Sequence, residues 1–114
     1  MSTVFVERII VSVVFGVAGL TKVMGLPFEA EAFERWGFPV GFMYFIGILE
    51  IAGALGMWTR KLGAFAALCL AVLGAGAVVT RLVHAEWVAA AVTAVVFLVA
   101  LHFVWQQRRE LFPR

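Results

Sequence analysis

The chain has 114 residues, of which 64% are hydrophobic and 14% charged, with a mean hydropathy of +1.04. Soluble domains run about 45–50% apolar with glycine counted and about 25% charged, so a water-facing globular architecture is excluded and lipid is the solvent that suits these side chains. The formal charge of +2 and pI near 9.2 do not point to nucleic acid, because the basic residues stand at the ends of apolar runs and not in a tract with interleaved aromatics.

Spans of about 20 residues each fill most of such a chain when there are four of them, which leaves room for caps, loops and tails but no soluble catalytic domain. The first span is read over 4–24, with Glu7 and Arg8 near one end and Lys22 near the other, where a long stem lets the ammonium snorkel. Glu7 and Arg8 interrupt any signal-peptide n-region and no Ala-x-Ala site follows Leu20, so this segment is expected to stay as an uncleaved span. The membrane pattern breaks over 25–38, where Pro27, Glu29, Glu31, Glu34, Arg35 and Gly37 gather. Phe28, Ala32, Phe33 and Trp36 recur there at helical spacing against the acids, which predicts a short amphipathic helix over 28–36 on the outer interface, closed by Gly37.

Pro39 suits the first turn of a second span over 39–59, since its missing N–H would lack a partner there in any case. Glu50 falls near the centre of that span. Arg60 and Lys61 form a turn short enough for a hairpin, and an uncharged run then opens the third span, 62–83, which ends around Arg81 and His84. The fourth, 87–107, has His102 as its main polar residue before a tail with Arg108, Arg109, Glu110 and Arg114. The expected fold class is therefore all-α: a polytopic membrane protein forming one antiparallel four-helix transmembrane bundle over 1–114.

Trp36, Trp58, Trp87 and Trp105 all fall at predicted span ends, where amphipathic rings prefer the headgroup level. Arg8, Arg60, Lys61, Arg108, Arg109 and Arg114 on one side outnumber Lys22, Arg35 and Arg81 on the other. The positive-inside rule then puts both termini in the cytoplasm.

Helices in lipid associate through small residues that let backbones approach. Gly63, Ala67, Ala71 and Ala75 recur every fourth position in the third span, Ser12, Gly16 and Gly19 share a stripe on the first, and Gly47, Gly53 and Ala54 flank Glu50 on the second. Four short helices offer little interior, so self-association as a homo-oligomer is expected, with membrane lipids as the other neighbours. Gly74 and Gly76 do not form a phosphate loop, because no strand precedes them and no Walker lysine follows. Cys69 is the sole cysteine and lies within an apolar stretch, which excludes an intrachain disulfide, a CxxC pair and a thiolate metal cluster.

Glu50 is the most informative polar residue, because a carboxylate near mid-membrane must pair or take up a proton. Lys22 and Arg81 lie near the outer ends of their spans, His84 follows Arg81 within a turn, and Tyr44 precedes Glu50 by about 9 Å at the helical rise. Together Glu50, Lys22, Arg81, His84 and Tyr44 are the candidate walls of a ligand-binding polar pocket open to the outer face. Lys22 and Glu50 differ in expected depth by about 12 Å at 1.5 Å per residue, a gap that a tilted span or a bridging ligand must close. His84 and His102 sit near opposite faces and cannot share an ion, so no metal site and no haem ligation is expected. His102 is expected to satisfy Glu7 and Arg8 locally. No residue is assigned a catalytic role.

The run Phe15-Gly16-Val17-Ala18-Gly19-Leu20-Thr21-Lys22, the segment with Phe33 and Trp36-Gly37-Phe38-Pro39, and Ile46-Gly47-Ile48-Leu49-Glu50-Ile51-Ala52-Gly53-Ala54-Leu55, followed by the Gly/Ala-rich third span to Arg81 and His84, resemble the DoxX-like family of small four-helix bacterial membrane proteins. The resemblance covers nearly the whole chain and rests on the order of otherwise degenerate motifs. It implies that Lys22, Pro39, Glu50 and His84 are the residues in common. It also implies an accessory subunit of a membrane redox or detoxification assembly, with a membrane-protein partner and a lipid or quinone-like ligand, since the family name derives from a subunit associated with a thiosulfate:quinone oxidoreductase. Two other readings stand beside it: a structural or assembly protein without chemistry, and a small transporter or membrane enzyme that uses Glu50.

Overall fold

A computed structural model describes residues 3–59 and 61–110. Arg60 of the expected hairpin turn and Arg114 of the tail lie outside them. The described residues form five α-helices: α1 (Thr3–Val23), α2 (Pro27–Trp36), α3 (Val40–Gly56), α4 (Gly63–Val83) and α5 (Trp87–Gln106), followed by a 3₁₀ turn at Arg108–Glu110. The protein is an all-α, multi-pass membrane protein. Among the described residues, α1, α4 and α5 are each long and apolar enough to cross a bilayer, while α2 and α3 form a pair bent by 117°.

The breaks have local causes. Gly25 ends α1 in the left-handed region at φ 67° and Gly37 ends α2 at φ 84°, where a side chain would be strained. After Gly37 the Phe38 N–H donates to Phe33 O at 2.9 Å, which turns the chain sharply, and Pro39 then starts α3. The expected span 39–59 is helical only over Val40–Gly56, about 25 Å at the helical rise. Past Gly56 the chain tightens, with Trp58 N–H donating to Leu55 O and Thr59 N–H to Gly56 O, both at 3.1 Å. The α4–α5 turn uses a non-glycine residue in the left-handed region, Ala85 at φ 57°, and there Glu86 N–H donates back to Arg81 O at 2.8 Å.

Packing follows from the small residues. A Cβ on Gly19 would stand 2.6 Å from Gly47 O, and one on Gly47 would stand 2.8 Å from Lys22 Cβ, so α1 and α3 touch backbone to backbone. Gly53 meets Leu70, and Gly56 meets Ala66, where α3 packs on α4. The core cluster of Val11, Phe15, Met57, Ala66, Ala67, Leu70, Ala71, Ala100 and Phe103 fills one end of the molecule, the end far from α2. At that far end Glu7 Oε2 lies 2.6 Å from His102 Nδ1, and the Arg8 guanidinium sits 5.7 Å from the Trp58 ring centre and 5.2 Å from that of Phe103. Toward the α2 end Phe33, Met43 and Ala90 are buried as well, and the helices there enclose a cavity.

Candidate functional site

The cavity has a volume of about 420 Å³ and is walled by all five helices. Its apolar walls include Phe15, Phe33, Phe42, Ile46 and Leu73, and its polar residues are Lys22, Glu29, Glu50, Thr80, Arg81 and Thr93, with Trp36 beside them. Phe15 and Gly74 close it toward the packed end, where a Cβ on Gly74 would lie 3.5 Å from the Phe15 ring.

Lys22 and Glu50 meet directly, with Nζ 3.0 Å from Oε1, because the Gly19–Gly47 approach brings the two backbones together one turn away. The sequence-based depth difference between them vanishes for a geometric reason. Gly47 stands beside Gly19 and Lys22, so α3 continues from Gly47 to Val40 for about 10 Å at 1.5 Å per residue, past the end of α1. Glu50 is buried, at 5% exposure, and the partly buried Lys22 ammonium offsets a carboxylate that would otherwise stand alone in a low dielectric.

A second carboxylate joins this pair. Glu29 of α2 is only 9% exposed; its Oε2 accepts a hydrogen bond from Thr21 Oγ1 at 2.6 Å and lies 3.5 Å from Lys22 Nζ. One ammonium therefore holds two carboxylates from two different helices. The sequence pattern set Glu29 with the other acids on the polar face of α2 and Phe28 on its apolar, membrane-facing side; Glu29 is turned inward, while Phe28 is 60% exposed on the protein. The inward face is Glu29, Phe33 and Trp36, spaced i, i+4 and i+7, and the counter-charge demand of Lys22 is the signal that would have found it.

Arg81 forms the opposite wall. Its Nη1 donates to Thr93 Oγ1, whose own hydroxyl donates to Ala89 O at 2.8 Å, and its guanidinium sits 5.7 Å from the Trp36 ring centre. Among the described residues no carboxylate lies within ion-pair distance of Arg81, and its Nε is buried without a hydrogen-bond acceptor. Thr93, Thr80 and Trp36 were not among the sequence-based candidates. The other two candidates stand away from the cavity. Tyr44 is exposed, with its hydroxyl packed against Gly25, and His84 is exposed, with Nδ1 2.8 Å from Thr80 O.

The cavity is capped at the α2 end. Phe33 packs on Trp36 with ring centres 5.2 Å apart and on Phe42 at 6.3 Å, and Phe38 packs on Phe42 at 5.2 Å. Trp36 Nε1 donates to Glu86 Oε2 at 2.8 Å, and Arg35 Nε and Nη2 donate to the same oxygen at 3.3 and 3.2 Å. These bonds tie α2 to the α4–α5 turn. The Trp36 hydrogen bond, aided by Arg35, holds the Glu86 carboxyl below its usual value. Among the described residues no group of three or more His, Cys, Asp or Glu side chains is arranged to hold a metal ion.

Known proteins agree with this architecture at the level of family. The protein YdgD of Bacillus subtilis (strain 168) is 38% identical over 72 residues, which cover 60% of this chain and 63% of that protein's own length. No solved structure matches the chain. The DoxX-like family matches residues 6–103, which takes in the Gly19–Gly47 approach, the Lys22, Glu29 and Glu50 group and the whole cavity wall, and the chain accordingly belongs to the DoxX-like family.

Proposed function

We propose that the protein is a membrane-embedded binding subunit whose cavity holds a lipid or quinone-like amphiphile, and that it serves a membrane redox or detoxification assembly as an accessory component. In this reading α1, the α2–α3 pair, α4 and α5 make four antiparallel crossings of the bacterial inner membrane, with both termini cytoplasmic and the α2 end outward. The carrying observation is the joining of two chemistries in one space. A mostly apolar cavity of about 420 Å³ ends in a partly buried ammonium shared by two buried carboxylates, with a guanidinium on the facing wall. That volume lies within the range of about 300–1,000 Å³ typical of small-molecule sites, where a few polar groups fix orientation inside apolar walls. Facing polar walls suit a head that both donates and accepts hydrogen bonds, and the apolar remainder suits a ring or chain. An unpaired charge at the centre of a span costs about 2.5–3.5 kcal/mol on insertion scales, a cost that the Lys22 ammonium offsets for Glu50.

The test is native mass analysis of the protein purified in mild detergent, read together with thermal stability. Glu50→Gln preserves shape and should keep the fold while losing the bound small molecule, and Lys22→Met should lose it too. Retention by wild type, Glu50→Gln and Lys22→Met alike would make the polar group structural and favour an assembly protein. Copurification of a membrane protein in the same preparation tests the accessory role, and a mass of one chain across a broad concentration range would count against a homo-oligomer.

A further inference from the structure

The walls of the cavity are unequally closed. Near the packed end α3 and α4 lie so close that a Cβ on Gly53 would stand 2.6 Å from Leu70 Cδ2, and one on Gly56 would stand 3.0 Å from Ala66 Cβ. These contacts set an antiparallel register, and extending it along both helices brings Ile46 level with Gly76 and Ala77. At that level the cavity lies between the two helices, with Phe42 and Ile46 lining it from α3 and Gly76, Ala77 and, one turn earlier, Val72 from α4, and a Cβ on Gly76 would meet no heavy atom within 4 Å. Val72 is 65% exposed and Phe42 39%, so these residues border the cavity and the outside of the molecule at once. Gly76 lies about 10 Å inward from the end of α4 at 1.5 Å per residue. At that depth in a membrane-crossing helix the surroundings are acyl chains.

Resting on the cavity reading above, we propose that the site is filled from the side. A single-chain amphiphile dissolved in the bilayer passes between α3 and α4 over Gly76, its tail staying in the gap beside Val72 and Phe42 and its head reaching Lys22, Glu29 and Glu50. The opposing route, through the α2 end, is obstructed by the aromatic packing of Phe33, Trp36, Phe38 and Phe42 and by the bonds from Arg35 and Trp36 to Glu86. A hydrocarbon tail moving from lipid into an apolar gap is never exposed to water, so the lateral route avoids the cost of hydrating it. The volume of about 420 Å³ accommodates one chain and not a whole two-chain phospholipid. Glycine at the level of the gap is the residue that leaves it widest.

The experiment uses the full chain in phosphatidylcholine–phosphatidylglycerol vesicles containing a monoacylglycerol with a diazirine in its acyl chain. After illumination, cross-linked peptides are located by mass spectrometry. Wild type should be labelled at cavity residues, and Gly76→Phe should lower that labelling at least tenfold. Gly41→Phe should leave it unchanged, since Gly41 also faces open space but does not line the cavity. To separate blockage from misfolding, Gly76→Cys in a Cys69→Ser background is labelled before and after alkylation of the folded protein with N-ethylmaleimide, and only the alkylated form should lose cavity labelling. Equal labelling of wild type, Gly76→Phe and alkylated Gly76→Cys would overturn the lateral route while leaving the cavity reading in place. Wild type that shows no labelling at cavity residues would overturn the cavity reading itself.

Discussion

Replacing Gly19 by alanine tests the contact that brings Lys22 to Glu50. The added Cβ would stand 2.6 Å from Gly47 O, 2.8 Å from Ile51 Cγ1 and 3.0 Å from Glu50 Cβ. Ordinary contact begins near 3.4 Å, and a backbone oxygen cannot rotate out of the way, so α1 and α3 must part by about 0.8 Å at this level. Overpacking of this kind costs about 1–3 kcal/mol, against about 0.5–1 kcal/mol that alanine gains over glycine in a helix interior. The net expectation is a loss of about 1–2 kcal/mol. Gly76→Ala supplies the control: the same chemical change in mid-helix, with nothing within 4 Å of the new Cβ, should gain about 0.5–1 kcal/mol. Unfolding by sodium dodecyl sulfate titration of the detergent-solubilised protein, followed by tryptophan fluorescence, reads both. The two variants should move the midpoint in opposite directions. A Gly19→Ala protein as stabilised as Gly76→Ala would refute the claim that a backbone approach sets the polar pair.

Ala85 occupies the left-handed region at φ 57°, so Ala85→Gly should stabilise by about 0.5–1 kcal/mol, the relief of about 1–2 kcal/mol less the added freedom of the unfolded chain, measured in the same titration. Glu86 has its folded pKa held below the ordinary 4.5, so its bonds to Trp36 and Arg35 stabilise the protein above that value and are lost as pH falls through the lowered folded value. Trp36→Phe removes the largest cause of that shift and should move the acid transition upward, as read by a carboxyl-carbon NMR titration of Glu86; an unmoved transition would place the cause elsewhere. At the far end, His102→Ala leaves the buried Glu7 carboxylate without its partner and should cost about 1–3 kcal/mol, whereas adding Glu7→Gln should recover part of the loss in a double-mutant comparison of unfolding midpoints.

The scarcity of charge made the long apolar helices legible, since α1, α4 and α5 run between positions where charged or breaking residues interrupt the hydropathy. The bend before α3 was legible as Gly37-Phe38-Pro39, but not the shortness of α3, which depends on the tightening of the chain beyond Gly56. Lys22 and Glu50 were legible as partners, while their contact distance was not, because residue counting assumes that neighbouring helices end at the same level and α3 overshoots α1. Glu29 was misassigned for a reason specific to lipid. Periodicity says which residues share a face of α2, but in a membrane an apolar residue such as Phe28 has no need to point inward, and the ionic demand of Lys22 decides the rotation instead. Tyr44 and His84 lie near the site in sequence, but Tyr44 is turned outward by its phase on α3 and His84 falls in the turn just past the end of α4.

The uneven filling of the bundle also governs how the molecule comes apart. Val11, Phe15, Leu70 and Phe103 knit α1, α4 and α5 together at the packed end, whereas α2 is held by its aromatic contacts, by the bonds of Glu29 to Thr21 and Lys22, and by one carboxylate oxygen of Glu86. Local opening follows the distribution of such contacts. The amides of α2 are therefore expected to exchange through partial opening before those around Leu70, as amide hydrogen exchange would read. The packed core and the cavity thus share the same helices and meet at Phe15, which belongs to both.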